Sequence, residues 1–151
     1  MRFHSTNKIS KNFRLPEVLS LGLAPDGGLF MPDYFPKLQA SFFKKIPTLD
    51  FNKISFEVIK KYVKEIPAKE LKKIISETFN FPIPLKLIEK NLYILELFHG
   101  PTMAFKDFGA RFLARALGYF LKNQKKQLNI IVATSGDTGS AVASGFFKTP
   151  G

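Results

Sequence analysis

One lysine sits where amine chemistry is possible. Lys106 lies between Phe105 and Asp107 in the run Glu96-Leu97-Phe98-His99-Gly100-Pro101-Thr102-Met103-Ala104-Phe105-Lys106-Asp107-Phe108, at a predicted loop-to-helix junction. An apolar pocket disfavours an ammonium ion, and a neutral amine can form a Schiff base or act as a base. The same position also suits a solvated lysine on a helix's first turn, with its aromatic neighbours in the core. Asp107 equally suits an acid placed to complement the helix dipole.

A second segment, Thr134-Ser135-Gly136-Asp137-Thr138-Gly139, follows a predicted strand and opens a predicted helix. Backbone amides and hydroxyls at such a junction can converge on an anion, and glycines permit close approach. An ordinary strand-to-helix turn with a capping Ser, Asp or Thr reads the same way. The segment has no Gly-Lys-Ser or Gly-Lys-Thr, so it is not a P-loop, and it lacks the Gly-x-Gly-x-x-Gly dinucleotide spacing.

Other chemistries find no support. His4 and His99 are the only histidines and have no metal-ligand spacing. His99, in a Gly-Pro turn, is open to a catalytic role or a packing role. Ser135 lacks a nucleophile elbow, and no paired-carboxylate motif occurs.

The elements that position these residues fall into two parts. Ala24-Pro25-Asp26-Gly27-Gly28 is a turn signal, and Pro32, Pro36 and Pro47 keep residues 25–50 from forming a long helix. A helix is predicted from Phe51 to Lys64, burying Phe56, Ile59 and Val63. Another starts after Pro67, with Leu71, Ile74, Ile75, Thr78 and Phe79 at helical spacing. It ends near Asn80, and Phe81-Pro82-Ile83-Pro84 must be extended. We place a domain boundary there, giving 1–80 and 81–151. In the second part, Leu92–Phe98 and Leu128–Thr134 read as strands. A helix from Lys106 to Gln124 buries Phe108, Phe112, Ala116 and Phe120, and a small-residue helix runs from Ser140 to Phe147. Strand, helix, strand, helix is the pattern of a parallel α/β sheet, and two strands cannot complete one. The expected fold is therefore α/β: an α-rich N-terminal domain, then an incomplete parallel-sheet domain, as in a fragment of a longer enzyme.

Composition narrows the classes. The chain has 151 residues, 45% apolar and 23% charged, which fits a globular protein. No apolar run approaches the ~18 residues of a membrane span, and the start has no signal-peptide core. The absence of cysteine excludes disulfide scaffolds and fits a cytoplasmic location. The net charge of +11 attracts phosphates of any kind, yet its lysines are dispersed and accompany no nucleic-acid-binding signature. Seventeen Phe beside abundant Ile and Lys fit a compositional bias.

Both chemical segments, and a third near the start, resemble signatures of the threonine synthase family, pyridoxal-5′-phosphate enzymes of fold type II. His99-Gly100-Pro101-Thr102 through Phe105-Lys106-Asp107 resembles the family's cofactor-lysine motif. Thr134 to Gly139 resembles its second signature, and Leu23-Ala24-Pro25-Asp26-Gly27-Gly28-Leu29-Phe30-Met31-Pro32, with Ser5-Thr6, a third. The wider fold type II group commonly carries Phe-Lys-Asp-Arg and Ser-Gly-Asn-Thr-Gly. The variants here resemble the branch with an extra N-terminal domain. The resemblance covers essentially the whole chain as an N-terminal third. It implies conversion of O-phospho-L-homoserine and water to L-threonine and phosphate, with pyridoxal 5′-phosphate as cofactor. It implies Lys106 as the catalytic, cofactor-holding residue and Asp137 near the cofactor's 3′-oxygen. Ser135, Gly136 and Thr138 would bind the substrate carboxylate. Arg111, a helical turn beyond Asp107, is a candidate for the leaving phosphate or a solvated helix face. From the residues themselves, without metal-ligand spacing, a membrane-length apolar run or a nucleic-acid-binding signature, no metal, membrane or specific nucleic-acid partner is expected. The family's phosphate-holding glycine loop lies downstream of these residues, so the isolated chain is expected to be inactive. A non-catalytic relative that binds the cofactor or a phosphate ligand is the alternative.

Overall fold

The computed structural model describes residues 1–122, 124 and 128–150, which form two compact units, Met1–Ile75 and Ser76–Gly151. In the first unit, β1 (Phe3–Ser5) pairs antiparallel with β2 (Phe30–Pro32), Phe3 opposite Pro32 and Ser5 opposite Phe30. The predicted turn between them forms. Gly27 takes a φ of 78°, where a Cβ would be strained, and its N–H donates to the Ala24 carbonyl at 2.8 Å. Between β1 and this turn lies α1 (Leu15–Leu21), opened by Pro16 and by a bond from the Arg14 N–H to the Glu17 carboxylate.

The proline-rich stretch holds only α2 (Ala40–Lys45) and a 3-10 turn over Ile46–Thr48. Asp50 then caps α3 (Phe51–Ile59), accepting from the Lys53 N–H at 2.8 Å. This helix stops five residues before the expected Lys64. Beyond it the chain tightens, with Lys61 N bonding Val58 O and Tyr62 N bonding Ile59 O, and both Val63 and Ile66 reach the core. The next helix, α4 (Ala68–Thr78), begins after Pro67 as expected. Leu71, Ile74, Ile75 and Thr78 are buried on its predicted face. Its last three residues belong to the second unit.

The second unit opens on a hairpin. The segment β3 (Leu85–Glu89), which the sequence reading missed, pairs antiparallel with β4 (Leu92–Leu95) through a turn in which Asn91 has φ 65°. The predicted strand is thus shorter than Leu92–Phe98, and its neighbour precedes it. Every residue of both strands is exposed.

Next come α5 (Lys106–Leu121) and α6 (Asp137–Phe146), which pack on each other. The buried stripe of α5 is Asp107, Ala110, Arg111, Ala114, Leu117 and Gly118, with Ala116 also enclosed. Phe108, Phe112 and Phe120, expected there, are only half-buried. The reason is close approach: a Cβ at Gly145 of α6 would lie 3.0 Å from the Ala110 backbone, so small residues must form the seam. The expected strand at Leu128–Thr134 forms no ladder, and Ile131 is 93% exposed. A parallel strand is held by ladder hydrogen bonds to neighbouring strands, and no strand among the described residues pairs with it, although Leu128 and Ile130 border a cavity with α5 and α6. Mixed helix and strand after an α-rich start is as expected. The two ladders among the described residues are antiparallel.

Candidate active site

The loop before α5 folds back on the helix it introduces. Asp107 is fully buried, and its two carboxylate oxygens accept from the Thr102 N–H at 2.9 Å and the Thr102 hydroxyl at 2.8 Å. Gly100 passes against that carboxylate so closely that a Cβ there would collide with it. Met103 adopts φ 54° to complete the reversal, its N–H donating to Gly100 O. Asp107 therefore fixes the loop instead of merely complementing the helix dipole. Sequence reasoning missed this, although a Thr five residues before an Asp at a helix start is the readable signal.

The loop fixed in this way presents Lys106 at the first position of α5. Its Nζ lies 3.8 Å from Asp137 Oδ2, at the first position of α6, and 5.3 Å from the centre of the Phe105 ring. The lysine side chain is 37% exposed and Asp137 is 79% exposed. The surroundings are therefore open, not the apolar pocket that the two flanking phenylalanines suggest. Phe105 is itself 60% exposed.

At the other junction Gly136 has φ 149°, and its N–H donates to Thr134 Oγ1 at 3.3 Å. A Cβ at Gly139 would collide with the Thr134 methyl, which explains a small residue there. The helix starts at Asp137, three residues earlier than expected, so Asp137 and Thr138 occupy its first turn. Ser135, Gly136, Asp137 and Thr138 are all exposed. The structure thus brings Lys106 to the Ser135–Thr138 loop.

Arg111 is not brought to it. This side chain is 7% exposed and donates from Nε to Thr78 O at 2.8 Å and from Nη2 to Glu77 O and Asn80 Oδ1 at 2.7 and 2.8 Å. It caps the carbonyls at the end of α4 and stacks near Phe81, 5.7 Å from the ring centre. Neither a free phosphate ligand nor a solvated face describes it. Its neighbour Arg115 is pushed below its ordinary pKa by burial and by the charge of Arg111. The Glu96 carboxylate accepts from His99 Nε2–H at 2.6 Å, and the imidazole stacks on Phe98, so the dyad is held in place.

The third segment is a structural lock within the first unit. Asp26 accepts from the Ser5 hydroxyl at 2.6 Å, the Ser10 N–H at 3.0 Å and the Gly28 N–H at 3.2 Å. The Ser5 bond, then the backbone donors of Ser10, Gly28 and Ile9, lower its pKa from 3.8 to about 2 against the opposing effect of desolvation. Thr6 completes the clasp, its N–H donating to Leu29 O and its hydroxyl accepting from Leu29 N.

A family model described as threonine synthase N terminus matches residues 2–79. Threonine synthase of Buchnera aphidicola subsp. Acyrthosiphon pisum is 39% identical over 149 residues, which take in 97% of this chain and 34% of that protein. The crystal structure of threonine synthase from Escherichia coli matches with a TM-score of 0.89 at 34% identity, over 99% of this chain and 35% of that one. The crystal structure of PLP-bound threonine synthase from Brucella melitensis matches with a TM-score of 0.91 at 34% identity, over 97% of this chain and 33% of that one. The chain spans about a third of the length of the curated relatives it matches.

Proposed function

The chain belongs to the threonine synthase family through that family's N-terminal part, and on this premise we propose that it carries the cofactor lysine of a cytoplasmic enzyme making L-threonine and phosphate from O-phospho-L-homoserine and water. Residues 1–80 are then the family's N-terminal domain, and 81–151 begin its pyridoxal-phosphate domain.

One observation carries the reading. The only lysine flanked by the His-Gly-Pro-Thr loop reaches, within 3.8 Å, the Ser-Gly-Asp-Thr-Gly turn that lies some thirty residues away in sequence. The residues present fit the aldehyde end of pyridoxal phosphate. Lys106 Nζ is accessible, its carboxylate neighbour is itself exposed, and open space surrounds the Cβ direction of Gly136. When bound, the cofactor supplies an electron sink for carbanions at the substrate's carbons.

Lys106 would hold the cofactor, and its amine, when not so engaged, would move protons at the α and β carbons of the substrate. The Ser135 and Thr138 hydroxyls, with the amides of the Gly136 turn, donate to the substrate carboxylate at the start of α6, where the helix dipole favours an anion. Asp137 is the cofactor contact beside the lysine. Asp107, Thr102 and Gly100 keep the lysine's helix in register and touch no substrate. In an enzyme that carries this segment with its complete catalytic domain, Lys106→Ala should abolish phosphate and threonine formation. Retained turnover would overturn the assignment.

A further inference from the structure

A cavity within the first unit lies away from Lys106 in sequence. It is an open cleft of about 800 Å3, bordered by α2, α3 and α4, within the ~300–1,000 Å3 of small-molecule sites. Phe42, Leu49, Phe56 and Ile75 give it an apolar lining. Asn52, also in the lining, has a side-chain oxygen that is buried and has no hydrogen-bond partner. A buried acceptor without a donor is costly, and such groups call for an explanation.

The charges at the cleft are unevenly paired. Asp50 binds Lys53 at 2.9 Å, and Glu57 binds Lys60 at 2.6 Å. Lys45 and Lys72, both lining residues, have no carboxylate partner among the described residues. Two ammonium groups, Lys60 and Lys72, lie 5.1 and 5.0 Å from the centre of the same Phe56 ring. Of the lining lysines, Lys45 and Lys72 are unneutralised, and two such cations beside an apolar concavity suit one anionic head group, not a polyanion.

We propose that this cleft binds a small organic anion with an apolar body and an N–H or O–H donor. The anion lies against Lys45 and Lys72, the body covers Phe56 and its apolar neighbours, and the donor satisfies Asn52 Oδ1. The head group is a phosphate monoester or a carboxylate, chemically equivalent partners for an ammonium.

On the enzyme that carries this segment with its complete catalytic domain, calorimetry with four probes tests this. They are inorganic phosphate, phenyl phosphate, 4-aminophenyl phosphate and 4-aminobenzoate. The expected result is that 4-aminophenyl phosphate binds about fivefold tighter than phenyl phosphate, the equivalent of one net hydrogen bond, and that inorganic phosphate is weakest. Preference between the two amino compounds assigns the head group. Lys45→Gln and Lys72→Gln, both at exposed positions, should each weaken binding severalfold, whereas Lys64→Gln, outside the lining, should not. The Asn52 side-chain amide resonance should shift on binding in the unmodified protein, which avoids any variant that folds poorly. Equal affinity for all four probes, equal effects of the three lysine variants, or an unshifted Asn52 amide would overturn the proposal and leave only diffuse attraction to a basic surface.

Discussion

Lys106 Nζ and Asp137 Oδ2 stand 3.8 Å apart, joining the first residue of α5 to the first residue of α6. The contact depends on the seam between these helices, where Gly145 meets the Ala110 backbone and Ala114 and Ala141 are completely buried. Larger residues there would separate the helices and with them the two loops. Sequence motifs whose nearest ends, Asp107 and Thr134, are 27 positions apart thus become one site through small-residue packing.

The first prediction concerns that lysine. In the enzyme carrying this segment, borohydride reduction in the presence of pyridoxal phosphate, followed by peptide mapping, should place the phosphopyridoxyl group on Lys106. The basic chain offers many other lysines, so selectivity is the informative result. Dominant labelling elsewhere would sink the assignment.

A second prediction separates support from chemistry. Asp107→Ala would leave the Thr102 N–H and hydroxyl without their acceptor, and should cost about 2–4 kcal/mol in denaturant unfolding of the second unit. Gly100→Ala should also destabilise, because its methyl group meets the same carboxylate. An unchanged unfolding midpoint in both variants would contradict the buried clasp.

The third concerns Arg111, whose place a helical turn beyond Asp107 suggests either the leaving phosphate or a solvated face and which the structure commits to the end of α4. Arg111→Lys cannot reproduce donation to Thr78 O, Glu77 O and Asn80 Oδ1 together. It should lower stability by about 1–3 kcal/mol while leaving KM for O-phospho-L-homoserine nearly unchanged. A large rise in KM with unchanged stability would restore the phosphate role.

These outcomes bear on how much the sequence discloses. The loop before Lys106, the glycine turn at residues 24–28 and the helix after Pro67 are all local signals and form where expected, whereas the second chemical loop is shortened because α6 begins at Asp137. The lysine-to-loop contact was legible only through motif resemblance, since no local pattern states which loops meet. Three readings missed for want of tertiary information. The α5 stripe was assigned to its bulky residues, whereas helix approach selected the small ones. The β3 strand lacked strict alternation, with Leu87, Ile88 and a charge at Glu89 straddling a register shift. Residues 128–134 have strand composition without the neighbours that make a strand.

A fourth prediction follows from Asp26. Its pKa of about 2 in the folded unit lies below the ordinary 3.8, so its clasp contributes fully above about pH 4. That contribution is lost as pH falls through about 2. Unfolding of the first unit, followed in urea from about pH 5 to pH 2, should show a fall in stability that Asp26→Asn flattens. The same slope in the variant would show that other carboxylates carry the effect.

The last prediction concerns the 151 residues as an isolated polypeptide, which should not form threonine. Lys106 alone can bind an aldehyde weakly and reversibly, but turnover needs a dry, preorganised site, and here both Lys106 and the Ser135–Thr138 loop are open to solvent. Both faces of the β3–β4 hairpin carry exposed apolar side chains, Leu85, Leu87, Tyr93 and Leu95 on one and Leu92 and Ile94 on the other, by the cross-strand register. An antiparallel pair of this kind is stable when covered, and its bare edges invite association. The polypeptide should therefore self-associate and bind hydrophobic dyes. A polypeptide matching the remaining two thirds of the relatives should suppress both effects and restore phosphate release. Phosphate release by the isolated chain, above that of a Lys106→Ala control, would refute this, because the exposed loops would then already form a working site.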